Sequence, residues 1–194
     1  MVTPSRYDDE LWELVPEEPG EPPEHLLRFV RGLGQAGRAL DLGCGDGRLS
    51  TRLQAEELSA ADVSPVALER ARRRLRGARI VELEPDAPLP FGDSEFELVL
   101  CAETIEHVRD VQLFLSEIRR VLVPGGRLAV TTPAHSRLTA LGLLVAGFEA
   151  GHDPLSSHIR LFTARSLRAL LGELGLEVES LRREAGTLLA VATR

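Results

Sequence analysis

The residues best placed to do chemistry in this chain are acids, glycines and histidines at the ends of short apolar runs. Ala39-Leu40-Asp41-Leu42 reads as a buried strand carrying one acid, and Gly43-Cys44-Gly45-Asp46-Gly47 follows, with glycines at alternate positions. A glycine turn after a strand lets bare backbone approach a ligand, since no Cβ intervenes and positive φ is cheap. Leu49 and Leu53 then predict a helix over 48–56, whose free N–H groups suit an anionic or hydroxyl-bearing ligand. This is a nucleotide type of site. A second acid, Asp62, stands fifteen residues beyond Gly47 at the end of the next apolar run. A carboxylate there suits both hydroxyls of a ribose, as the acid after a nucleotide glycine loop does. Capping the following helix falls instead to Ser64, with Pro65 at the first helical position. The dinucleotide spacing G-x-G-x-x-G is broken, because its third glycine would fall on Arg48.

The phrase D-L-G-C-G-D-G resembles the first motif of class I S-adenosylmethionine-dependent methyltransferases. Asp86-Ala87-x-Leu89-Pro90-Phe91-x-Asp93-Ser94-x-Phe96-Glu97-Leu98-Val99 resembles a later stretch of the same family, with Glu97 where the family more often has Asp. The resemblance spans roughly residues 37–135. It implies S-adenosyl-L-methionine as co-substrate, held by Asp41, Gly43, Cys44, Gly45, Gly47, Asp62, Val63, Asp86, Ala87, Cys101, Ala102 and Glu103. Asp41 would lie near the amino group, Asp62 at the ribose, and Asp86 with the backbone of Ala87 at the adenine. It further implies in-line methyl transfer to a small-molecule acceptor, nearest to the quinone-biosynthesis methyltransferases.

Glu103, His107 and His158 are the candidates for taking a proton from the acceptor, with Glu106, His135 and His152 behind them. Glu103-x-x-Glu106-His107 would put both acids on one face of a helix, and with His158 resembles the metal site of RNA 3′-terminal 2′-O-methyltransferases. E-H-V also occurs in metal-free relatives, so a divalent metal is not favoured. A binding protein that holds the co-substrate without transferring methyl is the runner-up, an RNA-terminal 2′-O-methyltransferase with a metal site is a further alternative, and a dinucleotide-dependent oxidoreductase is disfavoured by Arg48.

The elements that must position these residues read as alternating strands and helices. Helical spacing covers 25–33, 66–76, 110–122 and 166–174, the last capped by Thr163. Strands are expected at 58–63, 80–83, 96–101 and 127–132, and Pro124-Gly125-Gly126 should stop the third helix and turn the chain. The segments 177–181 and 187–191 should pair antiparallel. The expected architecture is α/β: a Rossmann-like, mostly parallel seven-stranded open sheet with a C-terminal antiparallel hairpin and helices on both faces. One domain should hold all of residues 1–194. Within it, 1–24 form a proline-containing arm, with a short helix around 8–14. Tyr7 or Trp12 either caps the site or packs the arm. Residues 133–158 form an insertion that either builds the acceptor pocket or packs as a surface helix.

The chain has 194 residues and 43% hydrophobic content, enough for a sizeable core. A net charge of −7 argues against general affinity for DNA, and the Arg72–Arg74 run with Arg76, which lacks interleaved aromatics and more often marks a solvated helix face, is left unassigned. Cys44 and Cys101 have neither metal nor disulfide spacing, which suits a reducing compartment. With no signal-like start and no apolar run of spanning length, a cytoplasmic protein without membrane insertion is expected. Neither the oligomeric state nor the methylated atom is readable.

Overall fold

A computed structural model describes residues 9, 12–17, 19–135 and 159–194. Tyr7, His152, His158 and most of the expected acceptor-side insertion lie outside the described residues. The elements are α1 (Glu24–Arg31), β1 (Gln35–Leu42), β2 (Gln54–Asp62), α2 (Pro65–Arg74), β3 (Arg79–Glu82) and β4 (Phe96–Ala102), then α3 (Val111–Val121), β5 (Leu122–Pro133), α4 (Ala164–Glu173), β6 (Glu177–Glu184) and β7 (Thr187–Thr193). The strands form one seven-stranded sheet in the order β3-β2-β1-β4-β5-β7-β6. Strands β3 to β5 run parallel, whereas β7 pairs antiparallel with both β5 and β6. The expected architecture is therefore the observed one.

Side-chain alternation explains why helices cover both faces. Leu40, Leu42, Val99 and Cys101 point one way and meet Leu115 and Ile118 of α3 and Leu167 and Leu171 of α4. Ala39, Leu98 and Leu100 point the other way, onto Leu26, Phe29 and Val30 of α1. Ala60 continues that second face, under Leu68 and Ala71 of α2. Strand β1 is thus buried on both sides over its last four residues, and its C-terminal end opens where neighbouring connections leave for opposite faces.

Two local expectations are corrected. The helix expected over 48–56 is a single 3-10 turn, Ser50–Arg52, and β2 already begins at Gln54. Parallel pairing aligns Gln35 with Gln54, so residues 43–53 must bring the chain back along the whole of β1. That run is about 23 Å at ~3.3 Å per strand residue. Eleven residues of α-helix would cover only about 16 Å at ~1.5 Å each, so the connection has to stay more extended. The second correction concerns Pro124-Gly125-Gly126, expected as a turn ahead of the strand. Strand β5 starts directly at Leu122, opposite Phe96, and the pairing resumes at Leu98 and Arg127. Residues 123–126 bulge out between those pairs, with Gly125 at φ +77°.

Candidate functional site

The glycine turn sits at the C-terminal edge of β1, tied to β2 because the N–H groups of Gly43 and Cys44 both donate to the Ala61 carbonyl, at 2.8 and 3.0 Å. At Gly43 (φ +78°) an added Cβ would lie 2.3 Å from the Thr104 hydroxyl oxygen. At Gly45 (φ +53°) it would lie 2.5 Å from Cζ2 of Trp12. Both positions therefore need glycine for conformation and for room. The protein's own side chains press on the bend, yet Gly43 and Gly45 still border an open cavity of about 440 Å³. That size is within the range of small-molecule sites.

Asp62, at the end of β2, is 8% exposed and also borders the cavity. One carboxylate oxygen accepts from the Gly45 N–H at 2.8 Å and the other from the Ser64 N–H at 3.0 Å, which ties the acid to the glycine turn. Burial pushes its carboxyl upward. Ser64 takes the capping task, accepting from the Ala67 N–H at 3.2 Å, so Asp62 is left to the cavity. Val63, Asp86 and Ala87 line the same space, and Asp86 adopts φ +57° with its carboxylate 3.8 Å from the Arg109 guanidinium.

Glu103, Thr104 and His107 border the cavity from the end of β4. They lie on a bend and turn rather than a helix, and Glu103 sits at φ +50°. The expectation that Glu103 and Glu106 share a helical face is therefore corrected. Two successive threonines of β5 point to opposite sides, and each engages one acid. The Thr131 hydroxyl donates to Glu103 at 2.8 Å, and that of Thr132 donates to Glu106 at 3.1 Å. Burial raises the Glu103 carboxyl. Glu106 is 1% exposed and is pushed up to about 7, first by burial and then by the Glu103 charge. His107 Nε2 stands 4.0 Å from Glu106. Among the described residues no three His, Cys, Asp or Glu side chains converge as a metal ion would need.

The remaining sequence candidates lie behind the cavity wall. Asp41 is 2% exposed and accepts from the Ser50 hydroxyl at 2.5 Å; burial holds its carboxyl up at about 7. Cys44 and Cys101 are buried free thiols, pushed well above the ordinary thiol range by burial, and so stay protonated. Gly47 packs on Leu75, and Ala102 packs against the α1 side of the core. None of these five borders the cavity.

Other lining residues are ones sequence reasoning missed: Leu113, Phe114 and Glu117 of α3, and Ile159. Phe114 was legible only as an inward residue, because helical spacing does not separate core from cavity. The consecutive Thr131-Thr132 opposite two acids three apart was a readable signal for the pair of hydroxyl contacts. The arginine run faces solvent at Arg72 and Arg73, which are exposed, and turns partly inward at Arg74. Arg74 donates to the Asp46 carbonyl and lies 3.0 Å from the Asp46 carboxylate, and Arg72 and Arg73 stand near Glu69 and Glu17.

Residues 40–130 match a family described as a methyltransferase domain. The chain is 33% identical over 164 residues to the demethylmenaquinone methyltransferase of Thermus thermophilus, covering 73% of this chain and 74% of that one. It is 30% identical over 124 residues to the ubiquinone biosynthesis O-methyltransferase of Rickettsia conorii, covering 61% of this chain but only 43% of that relative. Among solved structures the [4+2]-cyclase SpnF superposes with a TM-score of 0.68 at 19% identity, over 88% of this chain and 78% of that one. At that identity the likeness is one of fold.

Proposed function

The chain belongs to the class I S-adenosylmethionine-dependent methyltransferases, and on that premise we propose that it methylates a small aromatic acceptor of the quinone-precursor kind. The observation that carries this is the meeting of Gly43, Gly45, Asp62 and Asp86 at one cavity, with Glu103 and His107 on its border as well. The cradle suits the co-substrate: Gly43 and Gly45 border the cavity, although the room a Cβ would take at each is filled by Thr104 and Trp12, and Asp62 and Asp86 offer acceptors for hydroxyl and amino donors. Asp62 would hold the ribose hydroxyls, and Asp86 with the backbone of Ala87 the adenine edge. When bound, S-adenosylmethionine supplies a sulfonium methyl with a neutral thioether as leaving group.

What remains for the protein is placement and one proton. Holding two reactants in line is worth on the order of 7–11 kcal/mol at best. An acceptor that must lose a proton gains a further ~10²–10⁴-fold from a base. His107 and Glu103 are the side chains proposed for that proton, with His158 as the sequence candidate beyond them. Leu113, Phe114 and Ile159 give the same cavity an apolar side suited to an aromatic ring. The names of the two quinone-pathway relatives support that acceptor class.

The test is incubation with S-adenosylmethionine and a panel of demethylated quinone precursors, followed by mass spectrometry. The expected result is S-adenosylhomocysteine together with a product heavier by one methylene. Tight binding of S-adenosylmethionine with no S-adenosylhomocysteine from any acceptor would instead mark a protein that only holds the co-substrate.

A further inference from the structure

We infer that Arg160 is a positioning residue of the reaction: its guanidinium holds the backbone of the loop that presents His107 to the cavity. This rests on the reading of His107 as a side chain of the methyl-transfer site. The loop leaves β4 at Glu103 and reaches α3 at Asp110 by bends and a turn, with no helix or strand to stiffen it. Its two halves are held differently. In the front half Ile105 is fully buried, and the Glu103 N–H donates to the Thr131 carbonyl of β5 at 3.0 Å. In the back half His107 and Arg109 are exposed and Val108 is half-buried, yet all three border the cavity. Burial does little to fix them, and a side chain that must meet an acceptor is only as well placed as its supports.

Residues 159–162 supply that support. The N–H groups of Ile159 and Arg160 both donate to the Glu106 carbonyl, at 3.0 and 3.1 Å. The Arg160 side chain then reaches past His107: Nε donates to the Val108 carbonyl at 2.9 Å, and Nη2 donates to the Arg109 carbonyl. Carbonyls on both sides of His107 are therefore tied to one residue. A guanidinium suits this task, since two donors in a fixed fork set the direction of the peptide groups they meet as well as their distance. The far end of the segment is itself anchored. Phe162 is 6% exposed and belongs to the core that includes Leu167 and Leu171 of α4. Its carbonyl accepts from the His135 N–H at 2.8 Å, and Thr163 caps α4. Arg160 thus joins a fixed segment to one that burial leaves loose. Losing the fork exposes two carbonyls to water and should leave the sheet intact. Letting a reacting group drift by about 1 Å, in contrast, can cost on the order of 10²-fold in rate.

The experiment compares the wild-type protein, Arg160→Ala, Arg160→Lys and the control Arg168→Ala, an exposed residue of α4. Hydrogen–deuterium exchange without ligand reads residues 103–112. Steady-state kinetics use S-adenosylmethionine with the best acceptor of the quinone-precursor panel. Arg160→Ala should exchange several-fold faster than wild type over 103–112 and like wild type over β1 and β2. Its kcat should fall about tenfold or more, while KM for S-adenosylmethionine and affinity for S-adenosylhomocysteine stay within about twofold. Arg160→Lys, which keeps a cation but not the fork, should recover part of kcat, and Arg168→Ala should match wild type in both measurements. If Arg160→Ala does not fold, Arg160→Lys against Arg168→Ala carries the same comparison. Equal exchange over 103–112 in wild type and variant overturns the brace. Faster exchange with unchanged kcat, or a loss that falls on KM instead, overturns the positioning role. Turnover of no acceptor by the wild-type protein removes the proposal together with the methyl-transfer reading, a failure the ligand-free exchange keeps distinct from a failed brace.

Discussion

Asp41 stands at the end of a strand buried on both sides and has one hydroxyl, that of Ser50, for company. Taking a carboxylate out of water without a cation disfavours its charged form, which is why Asp41 and Glu106 both rise to about 7. A carboxyl that holds its proton more tightly folded than unfolded stabilises the fold while protonated. That contribution is whole below the ordinary carboxylate range near pH 4 and is lost as pH rises through 7. The melting temperature should therefore fall between pH 5 and pH 8, and Asp41→Asn, which needs no proton to stay neutral, should flatten the fall. An identical slope in the variant would show that Asp41 ionises freely in the folded chain. At this scale the acids' identities were open to sequence reasoning, but their exposure was not. Asp41, Asp62 and Asp86 all follow apolar runs, yet Asp62 and Asp86 border the cavity and Asp41 is sealed behind the turn.

At the scale of elements, the wall of the cavity formed by residues 83–89 depends on α3. Arg120 of α3 donates to the Leu89 carbonyl (2.9 Å), the Phe91 carbonyl (2.9 Å) and the Asp93 carboxylate (2.7 Å). The same guanidinium is braced by Glu117 at 2.7 and 2.8 Å, and Glu117 in turn accepts from the Leu89 N–H at 2.8 Å. The Arg120 contact holds the Glu117 carboxyl below its ordinary range. One side chain thus docks the loop carrying Asp86 onto the helix carrying Leu113 and Phe114. Arg120→Ala should cost about 2–4 kcal/mol in denaturant unfolding, since several acceptors lose their donor at once. It should also weaken S-adenosylhomocysteine binding. A loss of stability with unchanged affinity would show that the loop keeps its place by itself. The helix-forming pattern of 111–121 was plain in the sequence, as was the capping by Ser64 and Thr163, because caps and periodicity are local; Asp110, expected inside its helix, turned out to be the cap. The 48–56 helix failed because its fate was settled elsewhere, by the length of β1 that the connection must run back along.

At the scale of the molecule, the site lies where connections from adjacent parallel strands depart to opposite faces, the place where an open α/β sheet leaves a crevice. Only the folded sheet assembles that crevice, so a ligand that fills it should stabilise the whole chain. S-adenosylhomocysteine at a hundred times its dissociation constant should add about 2.7 kcal/mol, or roughly 5–11 °C of melting temperature in a chain this size. NAD at the same concentration should leave the melting temperature where it was, given Arg48 in place of the third glycine. A shift with NAD alone would reverse the ligand assignment.

Short-range chemistry was written in the sequence itself: most of the strands and helices, the caps at Ser64 and Thr163, and a glycine spacing that breaks the dinucleotide pattern at Arg48, while the adenosyl ligand came from the resemblance to the methyltransferases. Those depend on neighbours within a few residues and on the period of burial. Tertiary structure alone decided which acids meet the cavity, that Thr131 and Thr132 each claim one glutamate, and that the arginines of α2 hold the arm and the glycine turn. Those contacts join residues dozens of positions apart, and their partners are chosen by how the strands stack side by side, which no local pattern encodes.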